Sequence, residues 1–209
     1  MKAGPDGRVK LTLATRVTLA RILGIPVFVL LMIYYAMSLR AGRPDEYLRV
    51  AALAAFLLIA LTDALDGFLA RRRGEVTALG AVLDPLADKS LLLSAVIVLT
   101  RPGLPALQPQ LPVWFSVIVI SRDAMLVAGF FLIRHFAGAV KVRPRRAGKL
   151  STFLLIAAVT WALADGPAAP FRWLCALAAG VTLVAGLQYV VDGIRQLERA
   201  HAARRHPNA

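Results

Sequence analysis

The chain has 209 residues, of which 58% are hydrophobic, and its mean hydropathy is +0.67. It carries 25 Lys and Arg against 12 Asp and Glu, a formal net charge of +13 at pH 7. This composition is too apolar for an ordinary soluble domain and is typical of an integral membrane protein. The single cysteine, Cys175, excludes an internal disulfide, and we interpret it as an apolar filler of a helix.

Six apolar segments are each close to the roughly 20 residues that a helix needs to cross the hydrocarbon core. The sequence therefore predicts an all-α integral membrane protein, a single bundle of six transmembrane helices. The helices are predicted at residues 17–37, 50–70, 80–100, 112–135, 150–165 and 171–191. A basic segment, 1–16, precedes the bundle, 17–191, and a basic tail, 192–209, follows it.

The positive charges are distributed unevenly between the two sides of this bundle. On the side of the N-terminus lie 17 of the 25 Lys and Arg, five lie on the other side, and three lie within helices. This asymmetry predicts that both termini are cytoplasmic. The basic rim would attract anionic lipid headgroups or phosphate-bearing substrates, although topology alone explains most of these residues equally well. We expect membrane lipids as partners and no nucleic acid.

Four aspartates lie at the cytoplasmic ends of the second and third predicted helices. Asp63 and Asp66 are three residues apart, and Asp84 and Asp88 are four apart, so each pair shares one face of a helix. An ionised carboxylate at membrane depth costs at least a few kcal/mol. The four are therefore expected to share a cation or a water-filled cavity.

Carboxylate oxygens suit Mg²⁺ or Mn²⁺, and four of them on facing helices can hold two ions about 4 Å apart. Such a site can bind a diphosphate, and a carboxylate without metal can accept the proton of an attacking hydroxyl. Phosphoryl transfer at the cytoplasmic surface is the leading hypothesis. A cation-coupled transporter is the rival, but the acids lie at one face and no repeat is visible. A membrane scaffold would not need all four aspartates.

Basic residues near this surface have two interpretations each. Arg71 is a candidate clamp for a diphosphate, and the loop before the fifth helix is either a solvated loop or a phosphate-binding pocket. Ser121-Arg122-Asp123 lies in the middle of the fourth helix; adjacent residues do not face each other on a helix, so Arg122 and Asp123 are each expected to find a partner elsewhere. The last two helices are expected to be scaffold, with Trp161, Trp173 and Tyr189 as interfacial anchors.

The aspartates belong to a longer pattern that resembles a known family. Asp63-x-x-Asp66-Gly67-x-x-Ala70-Arg71, eight residues, then Gly80-x-x-x-Asp84-x-x-x-Asp88 looks like the complete signature of the CDP-alcohol phosphatidyltransferases. Eight positions match at fixed spacing. The similarity extends to Thr18, Arg21 and Pro26, to Arg122, and to the Arg-rich loop ending in Gly148-Lys149, and so covers most of residues 11–155.

The resemblance implies a six-helix bundle, usually a homodimer, in a bacterial-type inner membrane, with its active site facing the cytoplasm. It implies that CDP-diacylglycerol transfers its phosphatidyl group to an alcohol acceptor and that CMP leaves. Asp63, Asp66 and Asp84 would be the main ligands of Mg²⁺ or Mn²⁺, and Asp88 would assist them and act as catalytic base. The expected CDP-lipid-binding residues are Asp63, Asp66, Gly67, Ala70, Arg71, Gly80 and Thr18.

The acceptor is expected to bear a phosphate, and cationic side chains would hold it. The candidates are Arg122, Arg143, Arg145, Arg146 and Lys149. The preferred prediction is glycerol 3-phosphate, the acceptor of phosphatidylglycerophosphate synthases. The alternative is phosphatidylglycerol, the acceptor of the cardiolipin synthase branch, to which Ser121-Arg122-Asp123 is more similar. Thr15 also differs from the Asn that many phosphatidylglycerophosphate synthases have there.

Overall fold

The computed structural model describes the backbone of residues 13–73, 80–100, 108–137 and 146–205. Side chains are described over 23–62, 89–100, 108–129, 132, 146–196 and 198. Within these ranges the chain forms six α-helices. They are α1 (Leu13–Arg40), α2 (Glu46–Arg73), α3 (Gly80–Leu99), α4 (Val113–Ala137), α5 (Arg146–Leu163) and α6 (Ala168–Arg205). The all-α prediction and the number of helices are confirmed for this part of the chain.

Local sequence explains where two of the helices end. Gly42 follows α1 with φ 69°, and Asp165 follows α5 with φ 56°. In each case the next amide reaches back five residues, from Arg43 to the Ser38 carbonyl (3.1 Å) and from Gly166 to the Trp161 carbonyl (3.1 Å). A left-handed residue with this hydrogen bond is a Schellman-type cap, which satisfies carbonyls that the helix leaves unpaired. Asp45 then starts α2, since its Oδ1 accepts a hydrogen bond from the Tyr47 amide.

The described part of the chain divides into two compact units. The first contains α1, α2, α3 and residues 159–166; the second contains α4, the first part of α5 and α6. In the first unit α1 contacts both α2 and α3, and α2 contacts α3. Phe28 of α1 and Phe56 of α2 are fully buried, with ring centroids 5.8 Å apart. In the second unit α4 contacts α6 along an apolar core that includes Phe115 and Cys175, which confirms the burial expected for that cysteine.

Three of the helices are long and apolar enough, over their described residues, to cross a membrane. The candidate spans are Leu23–Arg40, Arg146–Leu163 and Ala168–Gln196, and a shorter apolar stretch covers Lys89–Leu99. Large apolar side chains on the outside, such as Leu58, Phe153 and Leu187, are consistent with lipid contact. These helices support an integral membrane protein, while six membrane crossings and cytoplasmic termini stay predictions.

Candidate active site

The helices α2 and α3 carry the four aspartates at the predicted spacing. Asp63 and Asp66 belong to α2, and Asp84 and Asp88 belong to α3. Because both segments are regular helices, each pair of positions lies on one side of its helix, and the two helices contact each other. The side chains of residues 63–88 lie outside the described residues, so the predicted metal-binding and catalytic roles stay predictions. Among the side chains that are described, no three His, Cys, Asp or Glu cluster as metal ligands.

The other positions of the signature also lie on these helices. Gly67, Ala70 and Arg71 follow the aspartates in α2, Gly80 is the first residue of α3, and Thr18 lies in α1. Their side chains are outside the described residues as well. Their contacts with a CDP-lipid therefore stay predictions.

The register of α1 against α2 is visible one turn away from the aspartates. An ideal Cβ at Gly24 would lie 2.9 Å from Ile59 Cδ1, so the missing side chain lets α2 approach α1 closely. Together with the Phe28–Phe56 contact, this gives an antiparallel pair of helices. Arg21 lies about one turn before Gly24 in α1, and Asp63 lies about one turn after Ile59 in α2. Their backbone positions therefore lie at the same level of the pair.

Arg122 is the best-described of the predicted site residues. Its side chain is 11% exposed, and its Nη1 donates a 2.7 Å hydrogen bond to Asp123 Oδ1. Its Cζ lies 5.8 Å from the centroid of the Tyr189 ring, within the range of a cation–π contact. Its Nε is buried and has no hydrogen-bond partner within the described residues. The guanidinium is therefore held on two sides and keeps one buried donor unsatisfied.

Two glycines bring α5 and α6 close to this guanidinium. A Cβ at Gly148, in the first turn of α5, would lie 2.8 Å from the Tyr189 hydroxyl and 3.6 Å from Arg122 Nη2. A Cβ at Gly186 of α6 would lie 3.5 Å from Arg122 Cγ. One turn further from Gly148 the two helices are joined by a buried hydrogen bond of 2.7 Å between the Ser151 and Thr182 hydroxyls. Arg122 thus lies where α4, α5 and α6 meet.

The prediction that Arg122 and Asp123 do not face each other is wrong. Their Cβ atoms do point apart, but the arginine side chain is long enough to turn back to the neighbouring carboxylate. The rule for adjacent helical positions applies to short side chains better than to arginine. Tyr189 was expected to be an interfacial anchor, and its ring lies against Arg122. Small residues at 148 and 186 were the available signal, because small residues on membrane helices permit close approach.

The remaining basic candidates lie near the start of α5. Arg146 and Lys149 are exposed residues of its first turn, on either side of the buried Gly148. Arg143 and Arg145 lie outside the described residues. The structure therefore brings Arg122 to the turn that carries Arg146 and Lys149, while a role for any of them in acceptor binding stays a prediction.

A second ion-pair cluster lies within the first unit. Arg49 Nη2 is 2.6 Å from Glu46 Oε2, and its Nη1 is 2.9 Å from Asp165 Oδ2. The Arg49 side chain is mostly buried, whereas about half of each carboxylate side chain is exposed. The cluster ties the start of α2 to the turn after α5. We interpret it as structural.

Comparison with known proteins agrees with this arrangement. The sequence model of the family described as CDP-alcohol phosphatidyltransferase matches residues 11–187, which is most of the chain and includes the aspartate signature and Arg122. The chain therefore belongs to the CDP-alcohol phosphatidyltransferase family, a family of membrane enzymes of phospholipid synthesis. The predicted family is confirmed.

Relatives named for two different activities are similar to this chain over most of their length. The CDP-diacylglycerol–glycerol-3-phosphate 3-phosphatidyltransferase of Bacillus subtilis is 37% identical over 71% of this chain and 74% of its own. A probable phosphatidylglycerophosphate synthase of Mycobacterium tuberculosis is 32% identical over 91% of this chain and 86% of its own. A CMP-forming cardiolipin synthase of Streptomyces coelicolor is 32% identical over 92% of this chain and 87% of its own. The family is thus clear, and the acceptor is the open question.

Proposed function

We propose that this chain transfers the phosphatidyl group of CDP-diacylglycerol to glycerol 3-phosphate, giving phosphatidylglycerophosphate and CMP. Family membership supports the transfer reaction, and the names of the Bacillus and Mycobacterium relatives support this acceptor. The acceptor hydroxyl forms the new bond to the lipid-side phosphorus. The bond from that phosphorus to the CMP oxygen breaks, and CMP leaves with the electron pair.

The residues present fit a divalent metal site. Four carboxylates at spacings of three and four on two contacting helices supply hard oxygen ligands, which Mg²⁺ or Mn²⁺ prefers. Asp63, Asp66, Asp84 and Asp88 would hold the metal, which when bound supplies positive charge to the diphosphate. Asp88 takes the proton of the acceptor hydroxyl. Gly67, Ala70 and Gly80 leave room for the CDP group. Thr18 also contributes to CDP-lipid binding, and Arg71 binds the diphosphate.

The observation that supports a phosphate-bearing acceptor is the environment of Arg122. A buried N–H without an acceptor costs about 1–3 kcal/mol, and Arg122 Nε is such a group within the described residues. Arg49 Nε is also unsatisfied, but the two Nη atoms of Arg49 each pair with a carboxylate, whereas Arg122 has the single carboxylate of Asp123 among the described residues. A phosphate oxygen would satisfy it with a charge-assisted hydrogen bond. Arg146 and Lys149, exposed on the neighbouring turn of α5, add positive charge. We assign the acceptor phosphate to Arg122, supported by Arg143, Arg145, Arg146 and Lys149.

A second candidate function is cardiolipin synthesis, with phosphatidylglycerol as acceptor. Two observations favour it: Ser121-Arg122-Asp123 is more similar to that branch, and the Streptomyces cardiolipin synthase aligns with 92% of the chain. Phosphatidylglycerol also carries a phosphate, so the same arginine could serve it. For either acceptor we propose a homodimer of six-span protomers, with the active site facing the cytoplasm.

The deciding experiment measures CMP release by the purified protein in detergent, with CDP-diacylglycerol and Mg²⁺ or Mn²⁺. Glycerol 3-phosphate and phosphatidylglycerol are supplied separately. We expect release with glycerol 3-phosphate only. Release with phosphatidylglycerol only would assign the chain to the second function, and no release with either acceptor from folded protein would refute both.

The Asp88→Asn variant tests the catalytic base. It should release CMP at least about a hundredfold more slowly than the parent, because general base catalysis commonly contributes a factor of that size or more. Asp45→Asn is the matched control: it makes the same chemical change, and asparagine caps a helix as well as aspartate does. Equal rates for the parent and Asp88→Asn would exclude Asp88 as the base.

A further inference from the structure

The face of the Tyr189 ring limits where the Arg122 guanidinium can lie. The distance from Arg122 Cζ to the ring centroid is 5.8 Å, and the arginine side chain is only 11% exposed. A cation–π contact removed from water is considerably stronger than one at an exposed surface. The contact is therefore shielded from water, and it restricts the position of the guanidinium.

Other groups restrict the same side chain from different directions. Asp123 accepts from Nη1 at 2.7 Å, and the backbone of Gly186 approaches the stem closely enough that a Cβ there would lie 3.5 Å from Cγ. Held by a carboxylate, a ring and a helix backbone, Arg122 loses most of its rotamer freedom during folding. A side chain fixed in this way binds an anion with less further loss of entropy.

Gly148 is the position at which α5 makes room for the ring. A Cβ there would lie 2.8 Å from the Tyr189 hydroxyl, closer than side-chain atoms normally approach. The next nearest atoms, Arg122 Nη2 at 3.6 Å and Tyr189 Cε2 at 3.7 Å, are at ordinary contact distance. The conflict therefore involves a single atom, the tyrosine oxygen.

We propose that Tyr189 is a positioning residue for Arg122, and that Gly148 is required because any side chain there would push the Tyr189 ring off the guanidinium. The proposal rests on the assignment of Arg122 to the acceptor phosphate. It gives the start of α5 and the end of the apolar part of α6 a role in acceptor affinity. Neither residue touches the reacting atoms.

The first test compares Tyr189→Leu with the conservative Tyr189→Phe. Steady-state CMP release is measured against glycerol 3-phosphate and against CDP-diacylglycerol in turn. Loss of the ring should raise the KM for glycerol 3-phosphate roughly tenfold, as expected for a desolvated cation–π contact, and leave the KM for the CDP-lipid unchanged. Tyr189→Phe should retain the parent values, because the ring face is kept. A similar rise in both KM values would indicate general structural damage and overturn the proposal.

The second test uses the single-atom conflict. Gly148→Ala should raise the KM for glycerol 3-phosphate, and adding Tyr189→Phe should restore it, because removal of the hydroxyl opens the space that the methyl group needs. Gly180→Ala is the control, since no atom of the described residues lies within 4 Å of a Cβ at that glycine. A defect in Gly148→Ala that Tyr189→Phe does not relieve would contradict the proposed contact.

Two further measurements separate this proposal from the assignment on which it rests. Arg122→Gln should raise the acceptor KM; if it does not, the assignment of Arg122 fails. Thermal unfolding, which needs no substrate, tests whether Tyr189 acts through Arg122. The effects of Tyr189→Leu and Arg122→Gln on stability should be non-additive, because the residues are in contact. Additive effects would overturn the positioning role even if Arg122 binds the acceptor.

Discussion

Gly166 has no room for a side chain. A Cβ at this position would lie 2.6 Å from Cδ1 and 2.7 Å from Cε2 of the Trp161 indole, which packs over the turn between α5 and α6. Trp161 is a large, rigid group within the cap, so it cannot easily move aside. The glycine is therefore required by packing.

Gly166→Ala should lower the free energy of unfolding by about 1–3 kcal/mol, the usual cost of overpacking. Thermal unfolding in detergent measures it as a fall in Tm. Gly180→Ala is again the control: its surroundings are open, and alanine favours a helix over glycine by about 1 kcal/mol, so its Tm should stay or rise. An unchanged Tm for Gly166→Ala would mean that the indole does not pack on the turn.

Contacts between side chains far apart in sequence could not be predicted from the residues alone. Arg122 was identified as a candidate, but its neighbours Gly148 and Tyr189 belong to helices that follow α4 in the chain. Only the packing of α4, α5 and α6 brings them together. Sequence spacing is informative within a helix, and it carries no information on which turns of two helices meet.

Helices, by contrast, were predicted well. Each predicted segment falls largely within an observed helix, because about 20 consecutive apolar residues favour little else. The observed helices differ chiefly at their ends, where polar residues continue the helix and hydropathy gives no signal. Thus α2 begins at Glu46 and not at residue 50, and α6 continues to Arg205 and not to residue 191.

The pairing of α1 with α2 depends on the close approach at Gly24. Alanine there should have little effect, because the nearest atom is the flexible end of Ile59. A leucine cannot fit without moving α2 and should destabilise the protein by about 1–3 kcal/mol. Thermal unfolding of Gly24→Leu measures this effect.

A compensating variant shows whether the register is as described. Ile59→Ala removes the side chain that a leucine at position 24 would meet, so the double variant Gly24→Leu/Ile59→Ala should recover much of the stability lost in Gly24→Leu. Purely additive losses in the double variant would place Ile59 elsewhere. The result also bears on the proposed metal site, since Asp63 lies one turn beyond this contact in α2.

The whole molecule is predicted to cross the membrane six times with both ends in the cytoplasm. This follows from the distribution of positive charge and is testable by labelling. In a Cys175→Ala background, single cysteines are introduced at Gly7, Arg43 and Asn208. An impermeant maleimide added to intact spheroplasts should label only the cysteine at position 43, and disrupted cells should allow labelling of all three.

Labelling of position 7 or 208 from outside would contradict the predicted orientation. If only one of these two were labelled, the chain would have an odd number of crossings. The replacement of Cys175 is a mild change because this residue behaves as a small buried apolar group.

The aspartate signature and the candidate acceptor-binding residues differ in how far the sequence could predict them. The aspartate signature was readable because its residues are close in sequence and their spacing alone defines a helix face. The candidate acceptor-binding residues belong to α4, to α5 and to the sequence just before α5, so only a set of candidate cations could be given. On the proposed assignment of Arg122, the choice between the two acceptors depends on the shape around this side chain, which is a property of the packed helices.

The length of α6 has a practical consequence. From Asp192 the helix continues without interruption to Arg205, about 20 Å beyond its last apolar stretch at a rise of 1.5 Å per residue. A protein of 22.5 kDa has too little mass outside a detergent micelle to be aligned easily in electron micrographs. A helical fusion partner joined in register to this extension would turn with the unit that contains α4 and α6 and serve as a rigid fiducial marker. The end of α6 thereby offers a route to imaging the enzyme with its substrates bound.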